Sequence, residues 1–101
     1  MNINKYAVVL TPYEYGILNK NYIISMTCHE QLESATIYEQ DEEEIVELLM
    51  TLDNLEDLTG YVAAESNHAK TAKQSRELGA ICDTFEARIS EIKVQLRVNA
   101  S

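Results

Sequence analysis

Six apolar residues near the C-terminus, Leu78, Ile81, Phe85, Ile89, Ile92 and Leu96, recur at steps of three and four. That is the repeat of one face of an α-helix, so the chain from about residue 70 to 98 is read as a single long helix. At about 1.5 Å per residue it runs roughly 40 Å. A stripe of that length needs something of comparable length laid along it, and this requirement constrains the fold more than any other feature. Arg88, Lys93 and Arg97 gather toward its end, where cations complement the helix dipole.

A second row, Ile45, Leu48, Leu52, Leu55, Leu58 and Val62, widened by Leu49, steps in the same way. It predicts a partner helix over about 42–65, with Asp41, Glu42, Glu43 and Glu44 crowding a first turn that favours acids. "ESNHAK" (65–70) is a polar cluster suited to a turn, so the two helices form an antiparallel hairpin over about 41–98. Folding back about that turn sets Gly79 near Glu56 and Gly60 near Ser75, and the two glycines would let the axes approach closely. The first forty residues read as β-rich. "KYAVVL" (5–10), "NYIISMTC" (21–28) and "SATIYEQ" (34–40) are taken as strands. "TPYEYGILN" (11–19) fits either a wide hairpin loop or a turn or two of helix, opened by a capping box of Thr11 and Glu14 with Pro12 behind it.

The expected fold class is therefore α+β: a small antiparallel sheet from about residues 5–40 packed on a long helical hairpin, in one domain spanning 1–101. Val8, Leu10, Ile23, Ile37, Ile45, Leu49, Leu52, Leu78, Ile81, Phe85, Ile89 and Ile92 are the expected core. Forty residues of sheet cannot cover two rods of that length, so a homo-oligomer, most simply a dimer, is expected to complete the apolar stripes.

Chemistry is harder to find. Cys28, His29 and Glu30 are adjacent, but neighbours on a strand point to opposite faces and cannot make a nucleophile–base pair. With His68 and Cys82 they match no zinc spacing. Glu65 and His68 have the Glu-x-x-His spacing of di-iron bundles but fall at the turn. Asp53, Asn54 and Asp57 lack the glycine and closing glutamate of a calcium loop. The glycines are isolated, which excludes a phosphate-cradling loop. Neither an enzyme nor a bound cofactor or metal is expected. The apolar runs are far short of the roughly 20 residues that span a bilayer, the first ten residues make a poor signal peptide, and two cysteines make no disulfide scaffold. A cytoplasmic protein is expected, in the host cytoplasm if phage-encoded.

What remains is charge. The net charge is −9. Residues 1–57 hold twelve acids against Lys5 and Lys20, whereas residues 58–101 hold five acids and six bases. From Glu30 to Asp57 there are eleven acids and no base. Such a field repels phosphate backbones and anionic membranes, so neither direct nucleic-acid binding nor membrane binding is expected. A helix usually gains a few tenths of a kcal/mol from each acid–base pair four residues apart, and this segment forgoes every one. Carboxylates in a row along a rod imitate a nucleic-acid backbone. In size, charge and lack of catalytic motifs the chain is similar to small acidic inhibitors of phages and mobile elements, anti-restriction and anti-CRISPR proteins among them. That likeness implies an inhibitor that occupies the basic surface of a nucleic-acid-binding host protein. Glu39, Glu43, Glu44, Glu47, Asp53, Glu56 and Asp57 are the candidate partner-binding residues. The alternative is a structural, self-assembling helical-hairpin module with no inhibitory role.

Overall fold

A computed structural model describes residues 4–100. The fold is α+β, a three-stranded antiparallel sheet with helices, ending in one long C-terminal helix. Strand β1 (Lys5–Leu10) is followed by three short helices, α1 (Pro12–Lys20), α2 (Tyr22–Thr27) and α3 (His29–Glu33). Strands β2 (Thr36–Gln40) and β3 (Glu43–Thr51) form a hairpin, and helices α4 (Leu52–Asn67) and α5 (Ala72–Ala100) complete the chain. The sheet order is β1-β3-β2, with Val8 opposite Leu48 and Tyr38 opposite Ile45.

Local signals place most of these elements. Thr11 caps α1 as a full capping box: its hydroxyl accepts from the Glu14 amide at 3.1 Å and its amide donates to the Glu14 carboxylate at 2.9 Å. This resolves residues 11–19 as helix rather than loop. Thr71 accepts from the Gln74 amide at the start of α5. β1 and β2 lie within the segments whose β-branched and aromatic residues predicted strands.

Two of the expected elements differ in type. Residues 22–27 are helix, not strand, with Asn21 and Cys28 as its caps. Asn21 Oδ1 accepts from the Ile24 amide at 2.9 Å as an N-cap, and Ile24, Cys28 and Leu32 are buried at a spacing of four. That is a helical face continuing through α2 and α3. Ile23, expected in the core, points away from it and is 44% exposed. The second difference is larger. The helix expected over 42–65 begins only at Leu52, where Thr51 caps it by accepting from the Asn54 amide. Residues 43–51 form the central strand instead, with Val46, Leu48 and Met50 buried at a period of two. Glu-Glu-Ile-Val-Glu-Leu-Leu-Met satisfies both periods. A strand here pairs on both sides, with Tyr6, Val8 and Leu10 of β1 and with β2, and tertiary pairing of this kind overrides local propensity.

The helical hairpin is consequently uneven, 16 residues in α4 against 29 in α5. Its register also differs from the expected one: Ser66 donates to the Ser75 carbonyl at 2.8 Å, and Lys93 lies 3.4 Å from Glu56. Gly79 therefore sits beside Ser66, and Gly60 faces open space. Neither glycine is needed for close approach of the axes.

One core joins the inner face of the sheet to the helices: Val8, Leu10, Val46, Leu48 and Met50 meet Leu18, Ile24 and Leu32, with Leu55, Leu58 and Val62 of α4 and Leu78, Ile81, Phe85 and Ile92 of α5. Of the expected core, Ile37 (57% exposed) and Leu49 (44%) are surface residues, and Ile45, Leu52 and Ile89 are half-buried. Ile37 lies at the inner edge beyond the helices, and Leu49 is on the opposite face of β3. Among the described residues no helix is long and apolar enough to cross a membrane.

Candidate acidic interface

The two residues joining β2 to β3, Asp41 and Glu42, both have left-handed backbones, with φ of 52° and 67°. Positive φ at both central residues of a two-residue connection is the type I′ geometry, whose twist matches the strands it joins. Asn-Gly and Asp-Gly are the favoured pairs for such a turn, so Asp41 suits its place, whereas Glu42 stands where Gly is favoured and is unfavourable by roughly 1–2 kcal/mol. The strands then bring Gln40 opposite Glu43 and Glu39 opposite Glu44. Beyond a two-residue turn the latter pair is the non-hydrogen-bonded one, with Cα atoms about 4.5 Å apart. Two like charges directly opposite oppose pairing by a fraction of a kcal/mol. Glu39, Asp41, Glu42, Glu43 and Glu44 are all exposed, and among the described residues no ion pair involves any of them.

The seven candidate residues do not share a face. Glu39, Glu43 and Glu44 are at this hairpin tip. Glu47, two residues beyond Ile45 on the same side of β3, lies on the outer face of the sheet. Its Oε2 accepts from the Tyr38 hydroxyl at 3.2 Å, and burial together with this carboxylate pushes the Tyr38 phenol up. Asp53, Glu56 and Asp57 are on α4, past the other end of β3. Eight strand steps of about 3.3 Å separate that end of β3 from the tip by some 26 Å. Glu56 is engaged with Lys93, and Asp57 acts on Cys28, whose thiol is pushed up by burial first and by this carboxylate second. The expected rod of carboxylates is thus replaced by a compact acidic tip, one isolated carboxylate on the sheet and a separate group on α4. The reason is that the acidic run spans a strand and a helix rather than one helix. Asp41 and Glu42 belong to the tip although sequence reasoning gave them only a helix-dipole role; their position between two alternating runs is the signal for a turn.

The residues considered for catalysis are dispersed. Cys28 and Cys82 are buried free thiols. Cys82 is pushed up to about 11, chiefly by burial and then by Glu86, which keeps it a neutral thiol near neutral pH. His29 pairs with Glu33 on the surface at 2.9 Å, and His68 Nδ1 meets the Ala64 carbonyl at the end of α4. Glu65 accepts from the Asn21 side-chain amide. Among the described residues no group of three or more His, Cys, Asp or Glu stands together as metal ligands would. A cleft of about 370 Å³ lies between α1 and the start of α5 over Ile17 and Leu78, with the Tyr13 hydroxyl donating to Glu77 across it. No protein-family model matches the chain, and comparison with curated proteins and with solved structures finds no match.

Proposed function

We propose that the protein acts by binding another protein, inserting the acidic tip of the β2–β3 hairpin into a basic cleft of the kind that otherwise holds a nucleic-acid backbone. The observation that carries this reading is the tip itself. Five carboxylates in six residues, with no base among them, sit at a turn that holds Glu42 in an unfavourable left-handed backbone and sets Glu39 opposite Glu44. Strain and repulsion of this kind tend to persist where function uses them. The tip is a compact anion cluster, so it suits a pocket for one or two phosphates better than a long duplex groove. Association driven by such a field is fast and weakens as salt is added. An inhibitory role in a host cytoplasm, as for small acidic phage proteins, is consistent with this mode of action.

The test is a capture experiment from host lysate with the wild type and with Glu39, Glu43 and Glu44 all changed to Lys, compared by quantitative mass spectrometry. Proteins with basic, nucleic-acid-binding surfaces should be retained by the wild type and lost with the reversed tip. Equal recovery would reduce the hairpin to a solvated turn. A second reading, a self-assembling structural module, is supported by the last turns of α5, where Val94 and Val98 are exposed. Light scattering at micromolar concentration separates the two: a monomer rules out the module, and growth past a closed dimer favours it.

A further inference from the structure

We propose that the open face of the sheet is a docking surface for a basic amphipathic helix of another protein, with Glu47 anchoring one arginine or lysine of that helix. The proposal rests on the reading above and names what the basic partner presents. The sheet buries one face only. Val8, Leu10, Val46, Leu48 and Met50 point into the core, so Lys5, Ala7, Val9, Glu43, Ile45, Glu47, Leu49 and Thr51 and the partner positions of β2 point away from it. A solvated antiparallel face ordinarily alternates to polar residues. This one is apolar toward its centre: Val9 is 50% and Leu49 44% exposed, with Ile45 and Tyr38 half-buried beside them and Lys5, Thr51 and Glu43 toward its ends. Two spacings of about 4.8 Å make the face roughly 10 Å wide, which is the width of one α-helix.

Glu47 decides the occupant. It is half-buried in the middle of this surface, opposite Val9 on one side and Thr36 on the other. The Tyr38 hydroxyl holds one of its carboxylate oxygens, which leaves the second oxygen for a donor arriving from above. A purely apolar partner would bury this charge unpaired, which is strongly unfavourable. A second copy centred face to face on Glu47 would bring that carboxylate against its own equivalent, two like charges in a dry contact, and one offset toward Lys5 would leave much of the apolar centre uncovered. An apolar helix face carrying one guanidinium or ammonium satisfies both the surface and the charge. The acidic tip beyond Glu43 adds attraction for further bases on the same helix.

The probe is a displayed library of amphipathic helices about sixteen residues long, roughly 24 Å, selected on the wild-type protein. Enriched helices should carry Arg or Lys within an apolar stripe. Their binding should fall about tenfold or more on Glu47→Gln, which removes the charge but keeps the shape. It should fall similarly on Val9→Thr combined with Leu49→Thr, variants that retain β-propensity. Circular dichroism checks that each variant keeps its fold. Helices without a base, helices that bind Glu47→Gln as well as wild type, or no enrichment at all would overturn the proposal. So would sedimentation in which the wild type is a dimer and the Val9–Leu49 variant a monomer, because the face would then belong to a second copy. The Glu39, Glu43 and Glu44 reversal distinguishes the two readings. If it abolishes capture of basic partners while Glu47→Gln is silent, the tip reading survives and this one fails. If Glu47→Gln alone is damaging, the outcome is the reverse.

Discussion

The molecule contains two antiparallel hairpins that are built in opposite ways. In the α4–α5 hairpin nearly every local choice agrees with the whole: Thr51 and Thr71 cap the helices, Ser66 ties the two strands of chain near the turn, Lys93 reaches Glu56, and Leu55, Leu58, Val62, Ile81 and Phe85 are fully enclosed. In the β2–β3 hairpin the far end conflicts with itself, with a left-handed Glu42 and with Glu39 facing Glu44. Agreement across levels is what makes a segment fold, and conflict is tolerated where something else holds the segment in place. Here β1 and the core beneath Val46 and Leu48 hold β3, so its tip is free to carry a charge pattern that opposes folding. Stability and recognition are thereby separated along one strand.

The largest test of this division removes packing from the helical side. Phe85 is completely enclosed in the core, and Phe85→Ala should destabilise the protein by about 3–5 kcal/mol, the usual range for a buried aromatic truncated to Ala. Urea denaturation measures it. Glu43→Gln at the tip should change stability by well under 1 kcal/mol in the same assay, within the range of surface substitutions. Comparable losses would mean that the two hairpins are not energetically distinct.

Alkaline pH should also act on the helical side, with a somewhat smaller effect. Cys82 of α5 is raised from an ordinary thiol value of 9 to about 11. An acid whose folded pKa is raised keeps its proton in the native state while the unfolded chain loses it, so stability is full below pH 9 and falls as pH rises toward 11. The loss is on the order of 2 kcal/mol. Stability measured at pH 8 and pH 10 should show the decline, and Cys82→Ala should lessen it. A pH-independent stability over that interval would mean that the thiol is not shielded as its surroundings suggest.

How much of this was legible in the residues differs between the same two regions. The α5 stripe was legible because six apolar positions over nineteen residues fit only one period. β1 and β2 were legible from β-branched and aromatic alternation. β3 was not, because Ile45, Leu48 and Leu52 step as a helix while Val46, Leu48 and Met50 alternate as a strand; only the pairing with β1 and β2 selects between them. The Thr51 cap was a usable sign of the true helix start. For α2, two adjacent isoleucines suggested a strand, while Asn21 as cap with Ile24, Cys28 and Leu32 at a spacing of four was the better signal. The acidic run was legible as charge but not as a site, because its spatial grouping depends on which residues are strand and which are helix.

A more specific test rewrites the turn. Changing Asp41 to Asn and Glu42 to Gly supplies the pair that a type I′ connection favours and removes two of the five tip charges. Stability should rise by about 1–2 kcal/mol, from relief of the left-handed glutamate and of like-charge repulsion. Added salt should raise wild-type stability more than that of this variant, since screening relieves the same repulsion. If partner binding falls while stability rises, the tip has kept unfavourable residues because they are used. A variant that gains neither stability nor salt insensitivity would show that the turn is not strained.

The smallest effect falls on the helical side and concerns Gly60. The glycine lies inside α4, exposed, and a Cβ built on it meets nothing within 4 Å. Its backbone is not left-handed, so it has no conformational requirement for glycine. Alanine there removes the entropy penalty of an unneeded glycine in a helix, and Gly60→Ala should stabilise the protein by about 0.8 kcal/mol. Thermal denaturation should register this as a rise of a few degrees in Tm, in line with the usual relation for a domain of about 100 residues. The opposite outcome is informative too. Had α4 and α5 met in the register that sequence spacing suggests, with Gly60 against Ser75, the added methyl would press on the neighbouring helix and Tm would fall. A fall would therefore reinstate that register and contradict the Ser66–Ser75 tie.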